Sequence, residues 1–94
     1  AQGRVAVDAG AARALESQGA SLLAVGVTGV DGVFRAGDCV EIVDASGQVR
    51  ARGLVQYDAA ELKRILGRNS ADIERILGVS APTEVIHRDD LVRP

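Results

Sequence analysis

Methionine and tryptophan are absent from the 94 residues, and only Phe34 and Tyr57 are aromatic. Two rings leave a base-stacking platform very little to build on. A chain without methionine does not begin where translation begins, so these residues are expected to be a piece of a longer protein. The single cysteine, Cys39, cannot close an internal disulfide, which fits a reducing compartment such as the cytoplasm. With one histidine and one cysteine, a structural zinc site is excluded. No apolar run approaches the roughly 20 residues of a membrane span, and Ala1-Gln2-Gly3-Arg4 lacks the apolar stretch of a signal peptide. Eleven basic against thirteen acidic side chains give a net charge of −2, which supplies no global attraction to phosphate.

What is present is the composition of one small core: 47% hydrophobic and 26% charged residues. A chain of this length buries between ~60% and ~70% of its unfolded surface. Val and Ile outnumber Leu by about two to one, and β-branched side chains prefer a pleated, half-buried surface. Gly3 to Val7 alternates as a short strand, and Asp8 is placed to cap a helix over Ala9 to Gln18 that ends at Gly19. That helix turns Ala11, Ala12 and Leu15 to one face, so it can lie very close to whatever it covers.

Ser21 to Val33 is apolar but punctuated by Gly26, Gly29 and Gly32, the spacing of strands bent at bulges, with Asp31-Gly32 as a tight turn. Turns at Arg35 to Asp38 and Asp44 to Gly47 bracket a strand from Cys39 to Val43. Gln48 to Tyr57 alternates most cleanly, with Val49, Ala51, Gly53 and Val55 facing one way. Two short helices follow. Glu61 to Gly67 is echoed by Asp72 to Gly78, the first with an Asp58–Glu61 capping box, the second capped by Ser70. Glu84 to Val92 reads as a closing strand. Short strands with glycine at their bends, one alanine-rich N-terminal helix and two short helices near the C-terminal part predict a mainly β fold with α elements, a small pseudo-barrel over residues 1–94.

The chemistry-bearing residues are few. His87 is the only side chain of a type that titrates near neutrality. No nucleophile motif accompanies it, so hydrogen bonding at a strand end is the expected role, ahead of catalysis or metal binding. Gly26-Val27-Thr28-Gly29 has neither the spacing nor the ending of a phosphate loop. Cys39 is expected to be buried and inert. Arg50 and Arg52 share a strand face, and Lys63, Arg64, Arg68 and Arg75 lie on the helical pair among Glu61, Asp72 and Glu74. A solvated surface of mixed sign is the expected result. Nucleophile, base and orienting group nowhere occur together, and the chain alone is not expected to be an enzyme.

The order of elements resembles a PUA domain. Val7-Asp8-Ala9-Gly10-Ala11, Gly19-Ala20-Ser21-Leu22-Leu23 and Gly26-Val27 are similar to the C-terminal PUA domain of bacterial glutamate 5-kinases. So are Gly32 to Asp38, Ala51-Arg52-Gly53, Tyr57, Ile76-Leu77-Gly78 and Ile86-His87-Arg88-Asp89-Asp90. One departure is Ala24, where that family usually has proline. The resemblance implies a parent that phosphorylates the γ-carboxylate of L-glutamate in proline biosynthesis. It places ATP and Mg²⁺ in an N-terminal amino-acid-kinase domain absent from these residues, so no cofactor and no catalytic residue carries over to this chain. It implies a cytoplasmic, proline-inhibited homo-oligomer whose appended domain partners its own kinase domain and tunes regulation or assembly. By analogy with other PUA domains, an alternative is an RNA-binding module using Arg13, Ser17, Gly19 and Ser21. A third use is a plain docking surface on the echoed helices.

Overall fold

The computed structural model describes residues 2–17 and 19–93. Strand β1 (Gly3–Val7) leads into helix α1 (Ala9–Ser17), and a 3-10 turn at Ala24–Gly26 opens β2 (Val27–Gly32). Then follow β3 (Cys39–Val43), β4 (Val49–Leu54), α2 (Ala59–Ile65) and α3 (Ser70–Leu77). A second 3-10 turn at Arg88–Asp90 precedes the short β5 (Leu91–Val92). The strands form one mixed sheet in the order β2-β1-β3-β4-β5, parallel only between β1 and β3. The segments entering the two edge strands meet at a bridge between Leu22 and Ile86, where Leu22 N–H donates to the Ile86 carbonyl at 2.9 Å. That bridge closes the curved sheet on itself, giving the mainly β fold with α elements that the sequence predicts.

Alternation decides which side chains fill the interior. Val5 and Val7, Val40 and Ile42, and Ala51 and Val55 all point inward and are buried. Leu62 and Ile65 of α2 and Ile73 of α3 cover them, as the helical spacing requires. Asp58 and Glu61 form the expected capping box: Glu61 N–H donates to Asp58 Oδ1 at 2.7 Å, and Asp58 N–H to Glu61 Oε1 at 3.2 Å. The Tyr57 ring is buried, its hydroxyl donates to the Pro82 carbonyl, and burial followed by the Glu61 charge pushes the phenol up. Helix α1 does lie very close. A Cβ on Gly26 would sit 2.7 Å from the Ala11 Cβ, so alanine on one side and glycine on the other set the spacing.

Several local expectations differ from the structure. Cys39 is exposed, not buried. Val40 and Ile42 fix the parity of β3, which turns Cys39 and its partner Leu54 outward. Asp31 and Gly32 stay in the ladder opposite Arg4 and Gly3. No hairpin forms there, because the next strand pairs with β1 instead; the chain leaves the sheet at Gly32, whose φ is +91°. Asn69, not Ser70, caps α3, its Oδ1 accepting from Asp72 N–H at 3.0 Å. The closing strand is broken by the turn at Arg88–Asp90, and β4 ends at Leu54 although alternation continues to a buried Tyr57. The predicted helix end at Gln18 lies outside the described residues. Ala24 opens a 3-10 turn after an extended Leu23, a geometry that the proline usual in the resembled family would also accept.

Gly53 is the tightest point of the closure. A Cβ there would lie 2.7 Å from Ile86 Cγ2 and 2.9 Å from the Asp90 carbonyl oxygen. Gly29, by contrast, would meet only the Ala6 Cβ at 3.7 Å. Gly53→Ala should therefore destabilise by about 1–3 kcal/mol through overpacking, and Gly29→Ala should stay within about 0.5 kcal/mol. Paired denaturant titrations check this; equal stability of the two variants would contradict it.

Candidate functional site

Helix α1 turns Ala12 and Leu15 into the core and presents its two remaining flanks to solvent. On one flank, Ala9, Arg13 and Glu16 line a cleft of about 300 Å³ against the β3–β4 turn, with Asp44, Ser46 and Arg50 opposite. On the other, Gly10 and Ala11 form a groove of about 250 Å³ with Asp8, Ser21 to Leu23, Val25 and Gly26. The groove is mostly apolar, and Leu23 and Val25 stand about half exposed along it, at 48% and 57%.

The cleft is held by ion pairs. The Arg50 guanidinium donates from Nε to Asp44 Oδ2 at 2.7 Å and from Nη1 to Glu16, tying β4 to both the turn and α1. Asp44 accepts further from the Ser46 hydroxyl at 2.6 Å and from the Ser46 and Gln48 N–H groups. The Ser46 hydroxyl and the Arg50 guanidinium, followed by those N–H groups, hold the Asp44 carboxyl well below the usual carboxylate range. The same two carboxylates push the Arg50 guanidinium up.

The four residues proposed from sequence do not converge on one pocket. Arg13 is exposed on the cleft side, while Ser21 lines the groove. The Ser17 hydroxyl donates to the Arg13 carbonyl one turn earlier at 2.7 Å. The Ser21 hydroxyl accepts from Arg88 N–H at 2.9 Å, so it belongs to the closure of the fold. Gly19 is exposed in the left-handed region at φ +59°, the expected end of the helix. What sequence reading missed is the groove itself. Its signal was Leu23 and Val25, apolar residues whose parity sets them opposite the buried Leu22 and Ala24.

Elsewhere the surface is of mixed sign. Asp31, Arg4, Glu41 and Arg52 face one another in register across β2, β1, β3 and β4. Glu41 binds Arg4 at 3.2 Å and Arg52 at 3.3 Å. On the helical pair, Arg75 pairs with Asp72, and Arg64 donates to the Ile76 carbonyl. Phe34 and Tyr57 are both buried and offer no stacking face.

Residues 3–77 match the family model described as PUA domain. The chain belongs to the PUA domain family. It is 56% identical over 90 residues to a glutamate 5-kinase of Paramagnetospirillum magneticum, and 53% identical over 91 residues to one of Frankia casuarinae. These alignments cover 96% and 97% of this chain but only 24% of each relative, so the chain spans about a quarter of the length of the curated relatives it matches. Among solved structures, a PUA domain from Aeropyrum pernix K1, crystallised as a tartrate complex, superposes with a TM-score of 0.70 at 29% identity. It covers 92% of this chain and 41% of that one. No helix among the described residues of this PUA domain is long and apolar enough to cross a membrane.

A depressed carboxylate such as Asp44 stabilises the fold at every pH above its unfolded value of about 3.9, and that stability is lost as pH falls below it. Thermal midpoints of the PUA domain should fall between about pH 4 and about pH 2, with a shallower slope in Asp44→Asn. Identical slopes would show that the Asp44 carboxylate, with its Ser46 and Arg50 bonds, does not fasten the turn.

Proposed function

We propose that this PUA domain is a non-catalytic accessory domain, at the C-terminal end of a cytoplasmic glutamate 5-kinase, that tunes the regulation or assembly of the enzyme. The observation that carries this reading is the match to glutamate 5-kinases over nearly all of this chain and only about a quarter of theirs. A chain that aligns end to end with a minor part of an enzyme is a module of it, and the reacting groups belong with the remainder. Within the domain, the glycine-rich segment serves packing: Gly26 fits against Ala11, and Gly32 against Gly3. No three His, Cys, Asp or Glu side chains converge to hold a cation among the described residues. On this reading ATP and Mg²⁺ are bound by the kinase domain that partners this one.

The α1 flanks are the surfaces through which such a domain would act. The half-exposed Leu23 and Val25 suit contact with protein better than contact with a polyanion. RNA binding, the other use to which PUA domains are put, finds less support here: the aromatic rings are buried, and Arg4, Arg50, Arg52 and Arg75 are engaged by carboxylates.

A full-length kinase carrying this sequence, compared with the same enzyme lacking residues 1–94, tests the reading. The shortened enzyme should still phosphorylate glutamate, with an altered response to proline or Mg²⁺ or an altered oligomeric mass. Identical behaviour in all three assays would overturn the proposal. Structured RNA titrated at low and high salt separates the competing use. Binding with a steep salt slope, lost in Arg13→Ala, would favour RNA; no binding at low salt would remove it.

A further inference from the structure

The string Ile86-His87-Arg88-Asp89-Asp90 lines neither the cleft nor the groove beside α1, yet it carries the only imidazole of the chain. Ile86 is buried against Gly53, and from there the chain arches through the 3-10 turn at Arg88–Asp90 into β5. His87 caps that turn. Its Nδ1 accepts from Asp89 N–H at 3.1 Å, and its carbonyl accepts from Asp90 N–H at 2.8 Å. The intervening N–H, that of Arg88, donates to the Ser21 hydroxyl, so the arch is tied to a wall of the groove.

An accepting ring nitrogen carries no proton, so while the cap is made the neutral ring holds its proton on Nε2. Nε2 lies 3.8 Å from Glu84 Oε2, and Nδ1 lies 3.5 Å from Asp89 Oδ2. These two carboxylates are the charged groups at ion-pair distance. Arg88 and Asp90 are the other charges of the arch, the facing segment contributes the uncharged Ser21, and β4 contributes Gly53. The surroundings therefore offer the ring two alternatives: a backbone cap when neutral, and a pair of carboxylates when charged.

We propose that His87 is a proton-operated latch on this arch. A solvent proton binds the Nδ1 lone pair, and Asp89 N–H loses its acceptor. Both ring N–H groups then face carboxylates, Glu84 at Nε2 and Asp89 at Nδ1, so one backbone cap is exchanged for ion pairs. The turn at Arg88–Asp90 loosens, and with it the Arg88 bond to Ser21 that steadies the groove.

The test is an NMR titration of the chain from about pH 8 to about pH 5, the range in which imidazoles change charge. The Asp89 and Arg88 amide resonances should shift with the midpoint of the His87 ring resonances. The Arg88 amide should lose hydrogen-exchange protection below that midpoint. His87→Asn keeps a capping oxygen but does not titrate, and in it both amides should stay flat. Amides that ignore the ring midpoint in the unsubstituted chain would overturn the proposal. So would shifts that persist in His87→Asn, because they would then belong to Glu84 and Asp89.

Discussion

The bridge between Leu22 and Ile86 is the contact on which the rest of the molecule depends. It joins the segments that enter the two edge strands, and so holds the two ends of the sheet to each other. Its geometry demands that Ile86 lie directly on β4, which only a residue without a side chain permits, and Gly53 stands there. Val85 and Ile86 are fully buried at this point. Burial of the bridge removes competing water, so its hydrogen bonds cannot be given up without leaving polar backbone groups unsatisfied.

The same constraint explains where polar groups go. Once the closure fixes the ends of the sheet, the strand faces sort by parity. The inward face takes Val, Ile and Ala, and the outward face of β2, β1, β3 and β4 carries a row of alternating charge. Exposed pairs of this kind contribute modestly to stability. Their larger consequence is electrostatic: paired in place, the arginines do not add up to the field that draws a polyanion. The row itself, with Asp31 and Glu41 against Arg4 and Arg52, is neutral.

Much of the fold was legible because it rests on short-range rules. The alternation from Val49 to Val55, the Asp58–Glu61 capping box and the glycines after α2 and α3 each state their own geometry within a few residues. What was not legible depends on a choice between local alternatives or on partners far along the chain. Cys39 gave no sign of its exposure until Val40 and Ile42 fixed the parity of β3. Asp31-Gly32 has the composition of a hairpin turn, and only the pairing of β3 with β1, not β2, denies it that role. Asn69 and Ser70 are both good caps, and the choice turns on a single residue of helix register.

The candidate site shows the same division more sharply. Arg13, Ser17, Gly19 and Ser21 lie close in sequence, yet each answers to a different local demand. Ser17 bonds within its helix, Gly19 supplies a left-handed exit, and Ser21 holds the arch. Arg13 alone lines the cleft, beside an ion-pair cluster assembled from α1, the β3–β4 turn and β4. The groove on the opposite flank owes its depth to glycine and alanine at Gly10, Ala11 and Gly26. Small residues are a weak sequence signal, because their contribution is the space they leave. Leu23 and Val25 border that space without a place in the core, and they share its rim with the small residues that form it. The close contacts of the fold are thus split between Gly26 behind α1 and Gly53 at the closure, and the two flanks of the helix stay exposed between them.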